Sequence, residues 1–485
     1  MISLIDAGPG TGKTFSLVYG YLHLKKELFG NIEPTQEQKD IFQYITSEFP
    51  KSASVAFFAH SNTVKDTLTK RLGKKGPKIY TFHGGGLSNI IKKHGYQKLV
   101  YNRTEKHIEI LSGMSLRDME WKYKIEWLGI KKVLQYLKIE ALEPTEDALE
   151  YLQMKYPDMA TIVIPDHWAE SASELLMMAS RPDGEVEFND MVYLGKKCLS
   201  RPRFTLGFVD ESQDISRSTY QLVTRMCEHV IMCGDKNQAI DAWRGASEEM
   251  YNSIAGVADA ILPLKVTQRC PPHICDLANT LRPGGILPGP NTLEGENKKV
   301  PIGSLPEMLQ GGSIHPYNTL FLSRTNAYLI GLALHFHKKQ IPCYIIDKDL
   351  AKELIDFIKM FRVNDLNALS SKLQGYLKRN EQARNPIWSF ICRDKVSCIK
   401  QYMNEVSTYS ALLSLIEDAV KPNKAGFKFT TIHKGKGMEA ENVFIINSPI
   451  EIKEAMQHPI AREQEINCHF VALTRSALNL YWLTQ

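Results

Sequence analysis

The sequence predicts an α/β protein in which parallel strands alternate with helices, and three observations support this. Near the N-terminus a short apolar segment, ISLIDA, is followed by the glycine-rich AGPGTGKT and then by the helical pattern FSLVYGYLHLKKEL. Two later apolar segments, FTLGFV and VIMC, run into acidic residues. Further along, LFLSRTNAYLIGLALHFHKKQIPCYII reads as strand, helix and strand. Strands and helices that alternate in this way are typical of parallel sheets covered by helices.

Composition places the chain among ordinary globular proteins. Its 485 residues are 43% hydrophobic and 23% charged, and a chain of this length can bury cores in roughly two to four domains. The formal net charge of +5 is compatible with a polyanionic partner. A charge this small does not establish such a partner.

The cysteines and the apolar segments of the sequence indicate where in the cell the protein is located. The nine cysteines occur singly, without CxxC pairs, which argues against a zinc site or a disulfide scaffold. No basic leader precedes an apolar core, and no run reaches the roughly 18 apolar residues of a membrane span. We therefore expect a soluble, intracellular protein of the cytoplasm with reduced cysteines.

The segment AGPGTGKT has the spacing of a phosphate-binding loop between a strand and a helix. Its glycines let backbone N–H groups point at phosphate oxygens, and the positive end of the following helix dipole adds to them. Lys13 is expected to reach the β- and γ-phosphates, and the Thr14 hydroxyl to bind Mg²⁺. Ala7 stands where the common pattern has glycine. The predicted nucleotide-binding residues are Ala7, Gly8, Pro9, Gly10, Thr11, Gly12, Lys13 and Thr14.

Two further strands end in residues suited to nucleotide chemistry. In FTLGFVDESQD, Asp210 is expected to hold Mg²⁺ together with Thr14, and Glu211 to take the proton from an attacking water. In VIMCGDKNQAIDAWRGA, Gln238 is a neutral donor and acceptor suited to sensing the γ-phosphate. The aromatic residue Trp243 follows, with Arg244 directly after it.

Taken in order, the segments AGPGTGKT, VDESQD, GDKNQAIDAWRGA, TQRCP, TIHKGKGMEAENVF and FVALTRSALNLYWL resemble the UvrD/PcrA/Rep helicases of superfamily 1. The segments AFFAHSNTVKDTLTKRL, IYTFHGGG and EFNDMVYLGKKCL fit weaker motifs of the same family. The resemblance covers most of the chain and identifies it as a compact member. It implies two RecA-like domains, ATP with Mg²⁺ bound in the cleft between them, and movement along DNA driven by hydrolysis.

The resemblance also assigns roles to residues of the second half of the chain. It implies that Arg269 and Arg475 reach across the cleft and stabilise charge on the transferred phosphoryl group, beside the catalytic Asp210, Glu211 and Gln238. It places Glu439 against the ribose. The same resemblance puts His433 and Lys436 where relatives couple DNA to the cleft.

For DNA, the resemblance implies contacts along a groove. Trp243 is expected to stack on a base, and the backbone is expected to meet Asn62, Thr81 and His83. The DNA-binding prediction is therefore Asn62, Thr81, His83, Trp243, His433 and Lys436. Two positions depart from the family: His60 stands where relatives often have Phe, and Asp241 replaces a common aromatic. The expected partners are single-stranded DNA, duplex junctions and a replication, repair or effector protein.

The motif order also predicts a domain layout. The first RecA-like core domain is expected at 1–85 and 183–263, interrupted by a helical insertion at 86–182. The second core is expected at 264–347 and 424–485, with a reduced insertion at 348–423. The glycine- and proline-rich segment 282–303 reads as loop.

Three other functions remain open. A helicase of opposite polarity, of the RecD-like branch, typically carries Gln where this chain has Lys436, so movement from 3′ to 5′ is favoured. An NTP-dependent effector or switch subunit could sense DNA without unwinding it. A third possibility is an ATPase that acts on proteins or small molecules. In that case the joint presence of Trp243, His83 and Lys436 would be due to chance.

Recognition of the base is the last expectation. Relatives place a Gln that reads adenine ahead of the loop, where this sequence has only six residues before Ala7, and Gln268 stands where relatives often carry an aromatic. Gln36 or Gln38 could read the base instead, although Thr35 and Gln38 also fit a helix capping box. We expect GTP to be hydrolysed within roughly tenfold of ATP, the factor that about 1.4 kcal/mol of lost contact represents.

Overall fold

The computed structural model describes the chain apart from residues 28–32, 74–75, 157–158, 160–163, 166, 182, 291, 313, 348, 382–385, 422–424, 447–458 and 485. The side chains of residues 243, 381 and 386–388 also lie outside that description. The chain divides into two compact units, Met1–Val266 and Thr267–Gln485. Each unit is described by itself below.

The first unit is built on a six-stranded parallel sheet. Its strand order is β3-β2-β6-β7-β1-β8, so the N-terminal strand lies between β7 and β8. The carboxyl ends of parallel strands meet at one edge of a sheet, and in this one Asp6 pairs in register with Gly234. That edge carries the phosphate-loop segment and both acidic segments. The strands of this unit are β1 (Ile2–Ala7), β2 (Val55–Ala59), β3 (Lys78–Thr81), β4 (Lys98–Leu99), β5 (Glu185–Val186), β6 (Phe204–Val209), β7 (Cys227–Gly234) and β8 (Ala260–Leu264).

Helices cover both faces of this sheet. One core packs Leu17, Phe42 and Ile45 against Phe57 and Phe208, and a second core with Leu222 and Met250 lies against Leu4 and Phe58. The helices are α1 (Lys13–Lys25), α2 (Gln36–Glu48), α3 (Asn62–Leu72), α4 (Phe82–His94), α5 (Arg103–Ser112), α6 (Trp121–Glu140), α7 (Glu146–Lys155), α8 (His167–Ala179), α9 (Phe188–Lys197), α10 (Arg217–Met226) and α11 (Glu248–Gly256).

Helices α5 to α8 form the helical segment that the apolar spacing predicts. They share a core of their own, in which Val133, Leu137, Leu152 and Leu175 are almost completely buried. Apolar side chains at helical spacing on α6 therefore face this core, as an amphipathic helix requires.

A buried ionic cluster joins this helical segment to α9. The Asp190 carboxylate, 1% exposed, lies 3.1 Å from Arg103 Nη1 and 2.6 Å from Lys138 Nζ. Arg103 also pairs with Asp183 at 2.9 Å and donates to the Ala179 carbonyl at 2.8 Å. Because a buried charge is costly unless it is paired, the cluster fixes α5 and α6 against α9.

The second unit contains another six-stranded parallel sheet. Its order is β11-β16-β15-β12-β14-β13, and the short strands β9 and β10 pair separately. The strands are β9 (Val266–Thr267), at the boundary, β10 (Leu287–Pro288), β11 (Asn297–Pro301), β12 (Thr319–Ser323), β13 (Cys343–Ile345), β14 (Phe427–Thr431), β15 (Ala440–Ile446) and β16 (Ser476–Thr484).

The expectation that 282–303 is loop throughout was wrong. Residues Asn297–Pro301 form the edge strand β11, in register with Leu480 to Thr484 of β16. The two lysines and the terminal proline of NKKVP are uncommon in a central strand but suited to an edge, where one side of the strand makes no ladder.

The helices of the second unit share one core with its sheet. Ile358, Leu373, Val396 and Leu412, all from 348–423, belong to the same buried cluster as Phe321 of β12. The predicted reduced insertion is thus packed on this sheet. The helices are α12 (Pro272–Leu281), α13 (Leu305–Gln310), α14 (Asn326–Lys338), α15 (Leu350–Met360), α16 (Leu366–Glu381), α17 (Pro386–Met403), α18 (Tyr409–Ala419) and α19 (Pro459–Leu473).

These features confirm the predicted fold class, an α/β chain with two parallel sheets as expected of two RecA-like units. All nine cysteines are free. Among the residues that the structure describes, no helix combines the length and apolar character needed to cross a membrane.

Candidate nucleotide and nucleic-acid sites

The phosphate loop lies between β1 and α1, as the sequence predicts. Gly10 and Gly12 have positive φ angles of 70° and 85°, a conformation that glycine adopts without strain. The Gly8 N–H donates to the Leu264 carbonyl at 2.9 Å, and the Thr11 hydroxyl donates to the Gly8 carbonyl at 3.0 Å. These bonds fix the loop to the edge of the sheet ahead of the first turn of α1.

Lys13, the first residue of α1, points toward the acidic strand end. Its Nζ lies 3.7 Å from Glu211 Oε2, and its side chain is 10% exposed. Burial alone would lower the pKa of Lys13, but the charges of Glu211, Asp235 and Asp210 outweigh burial and raise it. Lys13 therefore stays a cation, ready for a phosphate.

Thr14 and Asp210 meet at the place where the sequence predicts Mg²⁺. The Thr14 hydroxyl donates to Asp210 Oδ2 at 2.5 Å, and the Glu211 N–H donates to Asp210 Oδ1 at 3.0 Å. Burial, together with the charge of Glu211, raises the pKa of Asp210 to about 6. Hydroxyl and carboxylate oxygens are the ligand types that Mg²⁺ prefers, so the two residues fit this ion.

Glu211 is held by a chain of amide and carboxylate groups that ends at Gln238. Gln213 Nε2 donates to Glu211 Oε2 at 2.6 Å, and the Asp235 N–H donates to Gln213 Oε1 at 3.0 Å. Gln238 Nε2 in turn donates to Asp235 Oδ2 at 2.6 Å. The structure therefore links the predicted base to the predicted γ-phosphate sensor.

Sequence reasoning missed Gln213 and Asp235 as site residues, although both lie inside the motifs VDESQD and GDKNQ. Glu211 has a φ of 54°, and this left-handed residue opens the 3₁₀ turn Ser212–Asp214, which contains Gln213. Their positions inside the two motifs could have marked both residues as candidates. Their hydrogen-bond partners, however, depend on the geometry of this turn.

The sequence offered two roles for Gln38, helix capping and recognition of the base, and the structure confirms the first. The capping box with Thr35 is present: Gln38 Oε1 accepts from the Thr35 N–H at 3.0 Å. The other end of the amide donates to the Thr11 carbonyl of the phosphate loop at 3.2 Å. Gln36 instead donates to Asp40 at 2.7 Å on the surface of α2. Gln38 thus holds the phosphate loop through the Thr11 carbonyl. Recognition of the nucleotide base by Gln36 or Gln38 stays a prediction.

A cavity of about 330 Å³ in the first unit contains His83, one of the predicted DNA-binding residues. Its lining includes His60, His83, Phe188 and Arg244. The His83 and Phe188 rings stack with centroids 3.6 Å apart and planes 22° apart. Burial, aided by the charges of His60 and Arg244, lowers the pKa of His83 to about 4. His83 is therefore neutral near pH 7, and Phe188 is an aromatic residue that sequence reasoning missed.

The other DNA candidates of this unit lie at helix starts and in a turn. Asn62 is the first residue of α3, and the Thr81 hydroxyl accepts from the Gly84 N–H at 3.1 Å, which caps α4. Trp243 lies in the 3₁₀ turn Ala242–Arg244, and its side chain lies outside the described part of the structure. Asp241 precedes that turn and is half-buried.

In the second unit, Arg269 and Glu439 contact each other. Arg269 Nε donates to Glu439 Oε2 at 2.5 Å, and its Nη1 donates to the Thr474 carbonyl at 3.4 Å. The sequence assigned these two residues to different parts of a nucleotide. The structure brings them together within this unit.

The remaining predicted site residues of the second unit are Arg475 and two residues of the loop after β14, His433 and Lys436. Arg475 is 2% exposed, and its guanidinium donates to the carbonyls of Val471 and Met438 at 3.0 and 3.3 Å. His433 Nε2 lies 3.5 Å from Cys468 Sγ of α19, and Lys436 is half-buried in the same loop.

Together, the fold and the site define a P-loop protein of the α/β class. The family model for the UvrD/REP helicase N-terminal domain matches residues 2–257, more than half of the chain. The chain therefore belongs to the UvrD/REP helicase family, which confirms the resemblance found in the sequence.

The chain is also similar to the mitochondrial ATP-dependent DNA helicase HMI1 of Saccharomyces cerevisiae. The two are 24% identical over 385 residues, which cover 70% of this chain and 50% of the relative. The chain thus spans about half the length of that curated relative.

Proposed function

We propose that the protein is an ATP-dependent translocase and helicase that moves from 3′ to 5′ on single-stranded DNA and unwinds duplex ahead of it. The observation that carries the proposal is the convergence of Lys13, Thr14, Asp210 and Glu211 at one sheet edge. A chain of hydrogen bonds links Glu211 to Gln238.

Nine free cysteines favour an intracellular location, where thiols are kept reduced.

The proposed chemistry assigns a task to each of these side chains. Lys13 and the loop N–H groups would hold the triphosphate, while Thr14 and Asp210 would hold Mg²⁺. When bound, that ion neutralises charge on the phosphate oxygens. Glu211 accepts the proton of the attacking water, and the Gln213 amide keeps the Glu211 carboxylate from rotating.

Coupling to DNA is proposed to run through the segment that follows Gln238. Gln238 belongs to the 3₁₀ turn Lys236–Gln238, and the turn Ala242–Arg244 follows four residues later. Arg244 lines the cavity that also contains His83. A strand held at that cavity would displace the second turn, and through it the Gln238 amide that reaches Asp235.

The test is ATP hydrolysis measured with and without single-stranded oligonucleotide. We expect DNA to stimulate the rate and the stimulation to fall steeply with salt, since phosphate contacts release counterions. Hydrolysis that ignores DNA, or an absence of any salt-dependent binding, would contradict the proposal. DNA-stimulated hydrolysis without strand displacement would instead favour the effector or switch function.

A further inference from the structure

A second cavity of about 160 Å³ adjoins the one that holds His83. The two share four wall residues, Gln135, Lys138, Phe188 and Asn189. Phe188 is shared and is 49% exposed, so its ring separates two compartments of one groove. The second compartment lies between α9 and the helices α5 and α6, and the first extends from there to α4 and Arg244, all within the first unit.

Two side chains that only the second compartment contains are suited to a nucleic acid strand. Tyr101, just before α5, is 81% exposed, so the face of its ring is open to a stacking partner. Lys131 of α6 reaches the same compartment. An aromatic face and a cation are the two elements with which proteins hold unpaired nucleotides.

The other charged side chains of this compartment already have partners inside the protein. Lys138 is 3% exposed and pairs with Asp190 at 2.6 Å. The Glu187 carboxylate accepts from the Thr104 N–H and hydroxyl at 2.9 and 2.5 Å. These groups shape the wall, and Lys131 is left as the cation that can respond to a ligand.

Lys131 has a partner that a phosphate could replace. Its Nζ lies 2.8 Å from Glu105 Oε1, and the two side chains are 32% and 40% exposed. Exposed ion pairs of this kind contribute little, roughly 0 to 1 kcal/mol. Lys131 can therefore exchange Glu105 for a phosphate at small cost.

The same face of α6 continues beyond the cavity. Positions three or four residues apart share a helix face, so Lys131 lies in line with Leu128, Lys124 and Trp121. Leu128 and Trp121 are 42% and 71% exposed. This stripe extends the surface by about 15 Å, at 1.5 Å per residue, with an aromatic ring at its far end.

We propose that the compartment formed by Tyr101 and Lys131 is a further subsite for single-stranded DNA, in which one base stacks on Tyr101 and a phosphate pairs with Lys131. The subsite continues the strand that occupies the His83 cavity, and the inference rests on the proposed function. Continuity of the groove is the main argument, since one strand passing Phe188 would enter both compartments.

The first experiment compares Tyr101→Ala with Tyr96→Ala by fluorescence anisotropy, using labelled oligo(dT) of increasing length. Tyr96 is also 81% exposed but does not line the groove, which makes it a matched control. We expect Tyr101→Ala to bind long oligo(dT) about tenfold more weakly, the low end for one lost stack, while Tyr96→Ala keeps wild-type affinity. The shortest oligonucleotides that bind should not distinguish the two variants.

The second experiment compares Lys131→Ala with Lys106→Ala. Both lysines pair with one surface glutamate, Lys131 with Glu105 at 2.8 Å and Lys106 with Glu185 at 2.7 Å. One lost phosphate contact should lower the slope of log affinity against log salt by about 0.7. We expect this change in Lys131→Ala alone, and no change of slope in Tyr101→Ala.

The outcomes separate the subsite from the proposed function. A wild-type protein that binds no oligonucleotide would overturn both. Normal wild-type binding with equal affinities for the Tyr101 and Tyr96 variants, and equal salt slopes for the two lysine variants, would overturn the subsite alone. A photocrosslink from 5-iodouracil in oligo(dT) to Tyr101 would place the base directly, and crosslinking unchanged in Tyr101→Ala would contradict it.

Discussion

At the scale of single residues, Glu211 is the group on which hydrolysis is proposed to depend. Glu211→Gln keeps the size of the side chain and its contact with Gln213 but removes the proton acceptor. We expect turnover to fall by roughly 10² to 10⁴, the usual contribution of a general base, while binding of a fluorescent ATP analogue is kept. Lys13→Ala should instead weaken binding itself. A Glu211→Gln enzyme with more than about a tenth of the wild-type rate would remove Glu211 from this role.

Gln38 allows a second prediction at this scale, about the base of the nucleotide. Because its amide donates to the Thr11 carbonyl of the phosphate loop, Gln38→Ala should raise KM for ATP and for GTP by the same factor. Gln36→Ala, which removes only an exposed bond to Asp40, is the control and should change neither. We expect the wild-type protein to hydrolyse GTP within roughly tenfold of ATP. A hundredfold preference for ATP that Gln38→Ala abolishes would show instead that Gln38 reads adenine.

His83 gives a pH-dependent prediction. Burial and the charges of His60 and Arg244 lower the pKa of His83 to about 4, from an ordinary value near 6.5. Between these values the unfolded chain holds a proton that the folded chain does not, so stability is lost as pH falls below about 6.5. The loss is at most about 1.4 kcal/mol per pH unit for one group.

Hydrogen exchange of the first unit at pH 6.5 and pH 5 measures this loss. His83→Gln should make the stability of the first unit less dependent on pH in this range. His469→Gln is the control, because burial also lowers the pKa of His469 to about 4 but in the second unit. An unchanged pH dependence of the first unit in His83→Gln would contradict the assignment.

How far these residues could be predicted from the sequence depends on whether a contact lies inside one motif. The spacing of AGPGTGKT was enough to predict a loop between a strand and a helix that begins at Lys13. The stacking of His83 on Phe188 was not predictable, since it depends on how α4 packs against α9. The pair of Arg269 with Glu439 joins residues 170 positions apart, and no pattern of apolar residues encodes such a distance.

At the scale of helices and strands, long periodic segments were predictable and short ones were not. Trp121–Glu140 carries enough apolar positions to indicate a helix and its buried face. The strand Asn297–Pro301 has five residues, of which only Val300 is buried. A segment so short and so charged carries no alternation, and its strand conformation comes from pairing with β16.

The ionic cluster under α5 and α6 belongs to this scale. Asp190→Asn would leave Arg103 and Lys138 with buried charge and one acceptor fewer, and breaking such a pair costs about 3 to 5 kcal/mol. We expect faster hydrogen exchange in α5 and α6, with the helices of the second unit unchanged. Lys106→Ala breaks only an exposed pair and should cost at most about 1 kcal/mol. Equal exchange in the two variants would show that the cluster does not hold these helices.

At the scale of the whole molecule, the direction of movement is the prediction that concerns both units. Lys436 stands where the opposite-polarity branch typically carries Gln, which favours movement from 3′ to 5′. We expect duplexes with a 3′ single-stranded tail to be unwound in the presence of ATP and Mg²⁺, and those with only a 5′ tail to stay paired. Strand displacement on native gels measures both, with a blunt duplex as control. Unwinding of the 5′-tailed duplex alone would assign the opposite polarity.

The position of β1 between β7 and β8 also has a consequence for how the protein is made. The strand that leads into the phosphate loop is translated before the strands on both of its sides, which begin roughly 220 residues or more later. At about 5 to 20 residues per second, a ribosome needs roughly 10 to 45 s to supply the first of them. During that interval ISLIDA is an apolar segment without its sheet neighbours, and parallel pairings between distant segments form slowly. The nascent chain therefore cannot assemble the sheet edge that carries the phosphate loop until β7 and β8 have been made, and until then this segment is a natural target for chaperones.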